Sequence, residues 1–211
     1  MARAVQDLQT RQRLIEVATR QFAEHGFRRV TVRTISRDAR ANVAAVNYHF
    51  RNKLGLYREV LDQAVLAVRE TTDLVIQAGA GQPPEEQLRL YIRIHLERLM
   101  ASDMTSVFQQ LMHREMNEPT DLLKRMVDQM IRPRFEYLFA VVGEVVGRPP
   151  TDPAVQLSAL SIHALVLMFK PNPMGEIVAR RLKLDFTPDQ IVEHVTAFAL
   201  AGLRPYRSRP V

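Results

Sequence analysis

Apolar residues along this chain recur at intervals of three and four, and no alternating apolar/polar run exceeds four residues. That spacing lines one face of a helix turning every ~3.6 residues and is incompatible with the two-residue period of a half-buried strand. The chain is therefore expected to be all-α. Breaker-rich stretches at Gly79–Pro84, Gly147–Pro153 and Lys170–Gly175 divide it, because Gly and Pro interrupt helical hydrogen bonding. There is no internal repeat and no low-complexity tract.

The periodicity predicts a first helix from Leu8 or Arg11 to His25, with Gly26 ending it. A short helix follows over Thr31–Ala39, capped by Thr31, with Val32, Ile35 and Ala39 facing inward. Three residues, Arg40–Asn42, separate it from a two-turn helix over Val43–Phe50. Arg51-Asn52 breaks that helix, and a long one runs from Lys53 to about Ala78. Further helices are expected at 84–101, 104–116, 119–146, 153–169 and 188–203, with a short one at 174–182, about nine or ten in all. Two starts are well marked. Asp152-Pro153 places a cap before a first-turn proline, and Thr187-Pro188-Asp189-Gln190 adds the Gln of a capping box.

Charge is distributed unevenly. Residues 1–60 hold twelve Lys and Arg against five Asp and Glu, whereas the remaining 151 hold seventeen against eighteen. The whole net charge of +6 therefore comes from the first third of the chain. A local positive field attracts a polyanion, and nucleic acid is the leading candidate. The absence of cysteine excludes disulfides and thiolate chemistry. No apolar run reaches the ~20 residues of a membrane span, and the N-terminus lacks the apolar core of a signal peptide. The expectation is a cytoplasmic protein with no membrane partner.

Two short helices three residues apart form a helix-turn-helix arrangement. The second helix of such a pair enters the major groove with its leading residues at base edges. Here those residues are slim: Val43, Ala44 and Ala45, with Asn47 one turn on. Small side chains permit close approach, methyl groups can touch thymine, and Asn can pair bidentately with adenine. Tyr48 and His49 offer polar tips to phosphate oxygens, and Phe50 is expected in a small core with Phe22, Phe27 and Ile35. Lys53 begins the next helix, where its charge and the free N–H groups can hold a phosphate.

Residues 11–60 resemble the DNA-binding domain of TetR family regulators. The resemblance rests on Ile15, Ala18, Phe22, Gly26-Phe27, Thr31-Val32, Ile35, Ala39, the run Asn42–Phe50, Lys53, Leu56 and Tyr57. It implies a three-helix head (residues 1–53), a linking fourth helix, and a larger helical body (54–205) that dimerises and binds an effector. It places phosphate contacts on Thr31, Asn42, Tyr48, His49 and Lys53. Base-reading positions fall on Ala44, Ala45 and Asn47, with Arg33 as a further candidate. Arg40 departs from the pattern, which has Gly in the turn where positive φ is common. The Asn42–Phe50 run, with Arg114-Glu115-Met116 and Pro119, is also similar to a subgroup linked to antibiotic and toxic-compound response.

In the body, the segment at 153–169 is apolar almost all round, so it needs partners on several sides. Together with 188–203 it is the expected homodimer interface, bringing two heads to the half-sites of a palindromic double-stranded DNA operator. The candidate small-molecule effector pocket comprises His95, Phe108, Met112, His113, Met116 and His163, polar groups among apolar neighbours. Arg114 and Glu115 are either a structural pair or part of that pocket. No metal-ligand spacing, phosphate loop or nucleophile motif is present, so neither metal, cofactor nor enzymatic activity is expected. The competing reading is a helical protein-interaction scaffold whose basic head contacts an acidic partner.

Overall fold

The computed structural model describes residues 2–100, 110, 111, 113–115 and 117–207. Among these residues there is no strand, and the regular structure is helical. Helix α1 spans Ala2–Arg29, α2 Val32–Asp38, α3 Val43–Phe50, α4 Lys53–Gly79 and α5 Pro84–Met100. Residues 110, 111, 113–115 and 117 are helical, and the remainder of the helix expected at 104–116 lies outside the described residues. Then come α6 (Leu123–Met126), α7 (Arg132–Val146), α8 (Pro153–Met168), α9 (Pro173–Leu182) and α10 (Pro188–Leu203).

Most boundaries follow from local chemistry. Gly26 adopts φ 78° inside α1 and ends its regular run, a left-handed conformation that glycine enters without a Cβ clash. Asp152 Oδ1 accepts the Ala154 N–H at 2.8 Å. Thr187 and Gln190 close the expected capping box. α1 begins earlier than the periodicity indicated, because residues 2–10 turn helical while Val5 and Leu8 stay exposed. The single helix expected over 119–146 is interrupted. Thr120 directs its N–H and hydroxyl to the Glu115 carboxylate instead of a helical acceptor. Further on, Pro133 has no N–H and crowds the carbonyl four residues back, and the preceding turn, Val127–Ile131, widens to π geometry.

The chain divides into two compact units, Met1–Val68 with Asp103–Asp128, and Arg69–Ser102 with Gln129–Val211. The division falls within α4 and does not coincide with the functional boundary expected at 53/54. The first unit packs Leu14, Ile15, Ala18 and Phe22 of α1 with Ile35 of α2, Val46 and Phe50 of α3, and Leu56 and Tyr57 of α4. Phe22 meets the Tyr57 ring edge-on at 4.7 Å between centroids. Phe50 is buried as expected, while Phe27 sits half-buried between Phe22 and Tyr57. Gly55 is required at the start of α4, since a Cβ there would lie 1.9 Å from the Phe50 carbonyl oxygen. The second unit packs α5, α7, α8 and α10 around Tyr91, Ile92, Leu138, Val142, Ala159 and Val195. Each such fully buried aliphatic chain contributes about 1.5–3 kcal/mol relative to exposure.

Candidate nucleic-acid interface

The α2–turn–α3 element is held by short-range polar contacts. Thr31 Oγ1 accepts the Thr34 N–H at 3.1 Å, and Thr34 Oγ1 accepts the Thr31 N–H at 3.3 Å, so a threonine completes this capping box. The turn closes through Ala41 N–H to Ser36 O at 2.9 Å. Arg40 lies at φ 51°, the conformation usually given to glycine, at a cost of about 1–2 kcal/mol. Asn42 Oδ1 caps α3 by accepting the Ala44 N–H at 2.8 Å.

Burial then sorts the faces of α3. Val46 and Phe50, four residues apart, point into the core. Val43, Ala44, Asn47 and Tyr48 are exposed, with Tyr48 76% accessible, and Ala45 is half-buried. The slim leading face of α3 is thus open to solvent, as a groove-reading helix demands. Thr31, Arg33 and Asn42 are exposed alongside it.

Two predicted contacts are engaged elsewhere. The His49 side chain is largely enclosed, with Nε2 3.4 Å from Asp7 Oδ1. Lys53 donates to the carbonyls of Phe27 (2.9 Å) and Val30 (3.0 Å), and its ammonium stands 4.3 Å over the Phe27 ring. Burial pushes its pKa below the ordinary lysine value. One of its three N–H groups remains for a phosphate. Lys53 therefore first ties the end of α1 and the 27–30 segment to the start of α4.

Other residues on this face were not singled out from sequence. Gln6, Asp7 and Thr10 of α1 share a shallow groove with Ala44, Ala45, Tyr48 and His49. The helix-forming composition of residues 2–10 was the available signal. Arg51, at φ 68°, adds an exposed cation at the C-terminal end of α3. Arg37 is bonded to Asp38 at 2.8 Å, which holds that carboxyl below its usual range.

The predicted effector residues separate. His95 and His163 come together in the second unit, their ring centroids 6.2 Å apart, with Tyr91 bridging to His163 Nδ1 at 2.7 Å. His113 belongs to the first unit, where it is exposed and bonded to Asn117. Phe108, Met112 and Met116 lie outside the described residues. Arg114 and Glu115 do not pair with one another. Arg114 donates to the carbonyls of Ala23 and Glu24, while the buried Glu115 accepts from Tyr57 and Thr120.

Comparison with known proteins agrees with this geometry. Residues 14–60 match the model for "Bacterial regulatory proteins, tetR family", covering α2, the turn and α3. Residues 84–203, more than half of the chain, match the C-terminal domain of the HTH-type transcriptional dual regulator CecR. The chain belongs to the TetR family. This TetR-family regulator is 37% identical over 90 residues to the "Probable acrEF/envCD operon repressor" of Escherichia coli (strain K12). That match covers 43% of the chain and 40% of the relative, so the chain spans well under two thirds of that relative's length. It is 26% identical over 189 residues to the dual regulator CecR of Shigella flexneri, covering 86% of the chain and 79% of the relative. A solved TetR-family transcriptional regulator from Streptomyces coelicolor shares its fold, with TM-score 0.61 and 20% identity over 95% of this chain and 97% of that one. So does the fatty acid degradation regulator FadR from Bacillus halodurans, with TM-score 0.60 and 16% identity over 92% and 96%.

Proposed function

We propose that this TetR-family regulator is a homodimeric repressor that occupies a palindromic operator and leaves it when a small-molecule effector binds the body. The observation that carries the DNA-reading half is the exposed face Val43-Ala44-Asn47 at the capped start of α3. Ala44, Ala45 and Asn47 read base edges. Thr31, Asn42 and Tyr48, with one N–H of Lys53, hold phosphates, and Arg33 is a further groove contact. His49 acts through its contact with Asp7, keeping α1 beside α3. Residues 1–53 are the functional head and 54–205 the body. The names of the relatives, one an operon repressor and one a dual regulator, support regulation at an operator and favour repression. The cytoplasm is the location this role requires, and no single described helix is long and apolar enough to cross a membrane.

The dimer forms through α8 and α10. Val155, Ala159, Ile162 and Val166 bury one side of α8, and Leu157, Leu160 and Leu167 remain exposed on the other. Phe198 of α10 is 58% accessible beside them, and the two helices share an apolar depression. A second protomer presenting the same surface covers it isologously. Enzymatic activity has no place in this reading.

The test selects bound genomic fragments, then follows a labelled duplex of the shared palindrome by anisotropy while compounds are titrated. Operator release by a body-binding compound is the expected outcome. Binding to acidic protein surfaces that is indifferent to changes at Ala45 and Asn47 would instead mark an interaction scaffold.

A further inference from the structure

The second unit encloses a polar cluster around Tyr91, His95 and His163. His95 is 4% accessible, and its Nδ1 lies 2.8 Å from the Tyr91 carbonyl. A carbonyl only accepts, so Nδ1 carries the proton and Nε2 is an acceptor. That Nε2 is buried with no hydrogen-bond partner among the described residues. Tyr91 is fully buried, its hydroxyl on His163. Phe135 stacks edge-on against His163 at 5.1 Å, with Phe139 behind it at 5.8 Å.

Beside these rings sits Arg134, its Nε enclosed and without a hydrogen-bond partner among the described residues. The charge acts on the whole cluster: it disfavours protonation of both His95 and His163. Burial comes first in lowering the two imidazoles, to about 3 and about 4. Among the described residues, the only other charged or titratable group acting on Arg134 is Tyr91, itself held neutral by burial, and no carboxylate among them pairs with it. A guanidinium cannot shed its proton at accessible pH. One half-buried positive charge, its Nε enclosed, therefore acts on an aromatic-walled cluster that also holds a bare acceptor nitrogen. A buried unpaired charge is costly, whereas a carboxylate meets the guanidinium fork through short, paired hydrogen bonds.

We propose that Tyr91, His95, Arg134 and His163 form the effector's polar anchor, and that the effector is a carboxylate with an apolar body and a hydrogen-bond donor for His95 Nε2. This rests on the effector-release reading and narrows it to one chemical class. Phe135 and Phe139 receive the apolar body, and Arg134 selects the acid over neutral analogues of equal shape.

The test uses the full-length protein and three matched probe pairs that each carry a hydroxyl donor: salicylate, trans-4-hydroxycinnamate and 3-hydroxyoctanoate, each against its methyl ester. Binding is read by calorimetry and operator release by anisotropy. At least one acid is expected to bind about tenfold or more tighter than its ester, a preference that Arg134→Met abolishes by lowering the acid's affinity to that of its ester. Stability without ligand supplies an arm that needs no probe. Removing a guanidinium that no described residue neutralises leaves the Tm of R134M unchanged or higher. A fall of more than about 4 °C, or esters binding as tightly as acids, overturns the anchor. The two readings fail separately. Acid-selective binding without operator release keeps the anchor and sinks release, whereas equal release by acids and esters keeps release and sinks the anchor.

Discussion

Tyr57 on α4 donates its hydroxyl hydrogen to Glu115 Oε1 at 2.6 Å, across fifty-eight positions of sequence and with both groups buried. The carboxylate also accepts from the N–H and hydroxyl of Thr120, and the adjacent Arg114 grips the carbonyls of Ala23 and Glu24. Two consecutive side chains thus face opposite ways. One holds the end of α1 and the other holds α4, so Arg114 and Glu115 staple two elements of the first unit. Burial and the Glu115 hydrogen bond together push the Tyr57 pKa far above its ordinary value.

Tyr57→Phe removes one charge-assisted hydrogen bond but leaves Glu115 its Thr120 partners. The expected loss is about 1.5–3 kcal/mol in the unfolding free energy. Glu115→Ala strands both Tyr57 and Thr120 and costs more. Urea denaturation ranks the two, and equal losses would mean that the Thr120 contacts contribute nothing.

Asn47 and Lys53 separate by the kind of loss they produce. Asn47→Ala is expected to lower discrimination at one operator base pair by about 1–3 kcal/mol while leaving Tm unchanged. Lys53→Met frees two backbone carbonyls of their donor, so it lowers Tm and weakens all DNA alike. Competition binding on operator and scrambled duplexes, paired with thermal melts, distinguishes them. Wild-type Tm in K53M would show that the staple to Phe27 and Val30 is idle.

Phe198→Asp places a carboxylate in the apolar surface of α8 and α10. Its neighbours there are Leu157, Ile162 and Leu165, and a charge buried by a second copy is disfavoured. Sedimentation velocity should show a shift from dimer to monomer, with operator affinity falling in step. The residue is exposed in the single chain, so the monomer's helical content should persist.

Acid should destabilise the fold through its imidazoles. His163 and His95 are held to about 4 and about 3 in the folded state, below the ordinary value near 6.5. From pH 6.5 downward the unfolded chain takes up protons that the folded chain refuses, so stability falls until the folded values are reached. Each imidazole contributes a slope of about 1.4 kcal/mol per pH unit in that window. Chemical denaturation between pH 7 and 4 should show the decline, flattened by one imidazole's share in His163→Gln. An unchanged slope in the variant would mean that His163 is protonated in the fold.

Local chemistry made much of the head legible. Gly26, the Thr31 cap, the three-residue turn and the Asn42 cap act over a few residues, so reading neighbours in order recovers them. Asp152-Pro153 and Thr187-Gln190 marked α8 and α10 by the same logic. Boundaries blurred where a distant group intervened, as at Thr120, whose helical start gives way to the Glu115 carboxylate. The contacts of Lys53 with Phe27 and Val30, and of His49 with Asp7, were not legible in their spacing.

Apolar spacing together with the order of capping and small residues determined a helical chain with a capped, slim α3, since those outcomes depend on interactions within four residues. Only the tertiary structure decided which polar groups share an environment. It set His95 beside His163 and left His113 in the other unit, turned Arg114 and Glu115 apart, and brought in Tyr91 and Arg134. Burial, which removes water as the alternative partner, is a property of packing between helices, and no run of neighbouring residues encodes it.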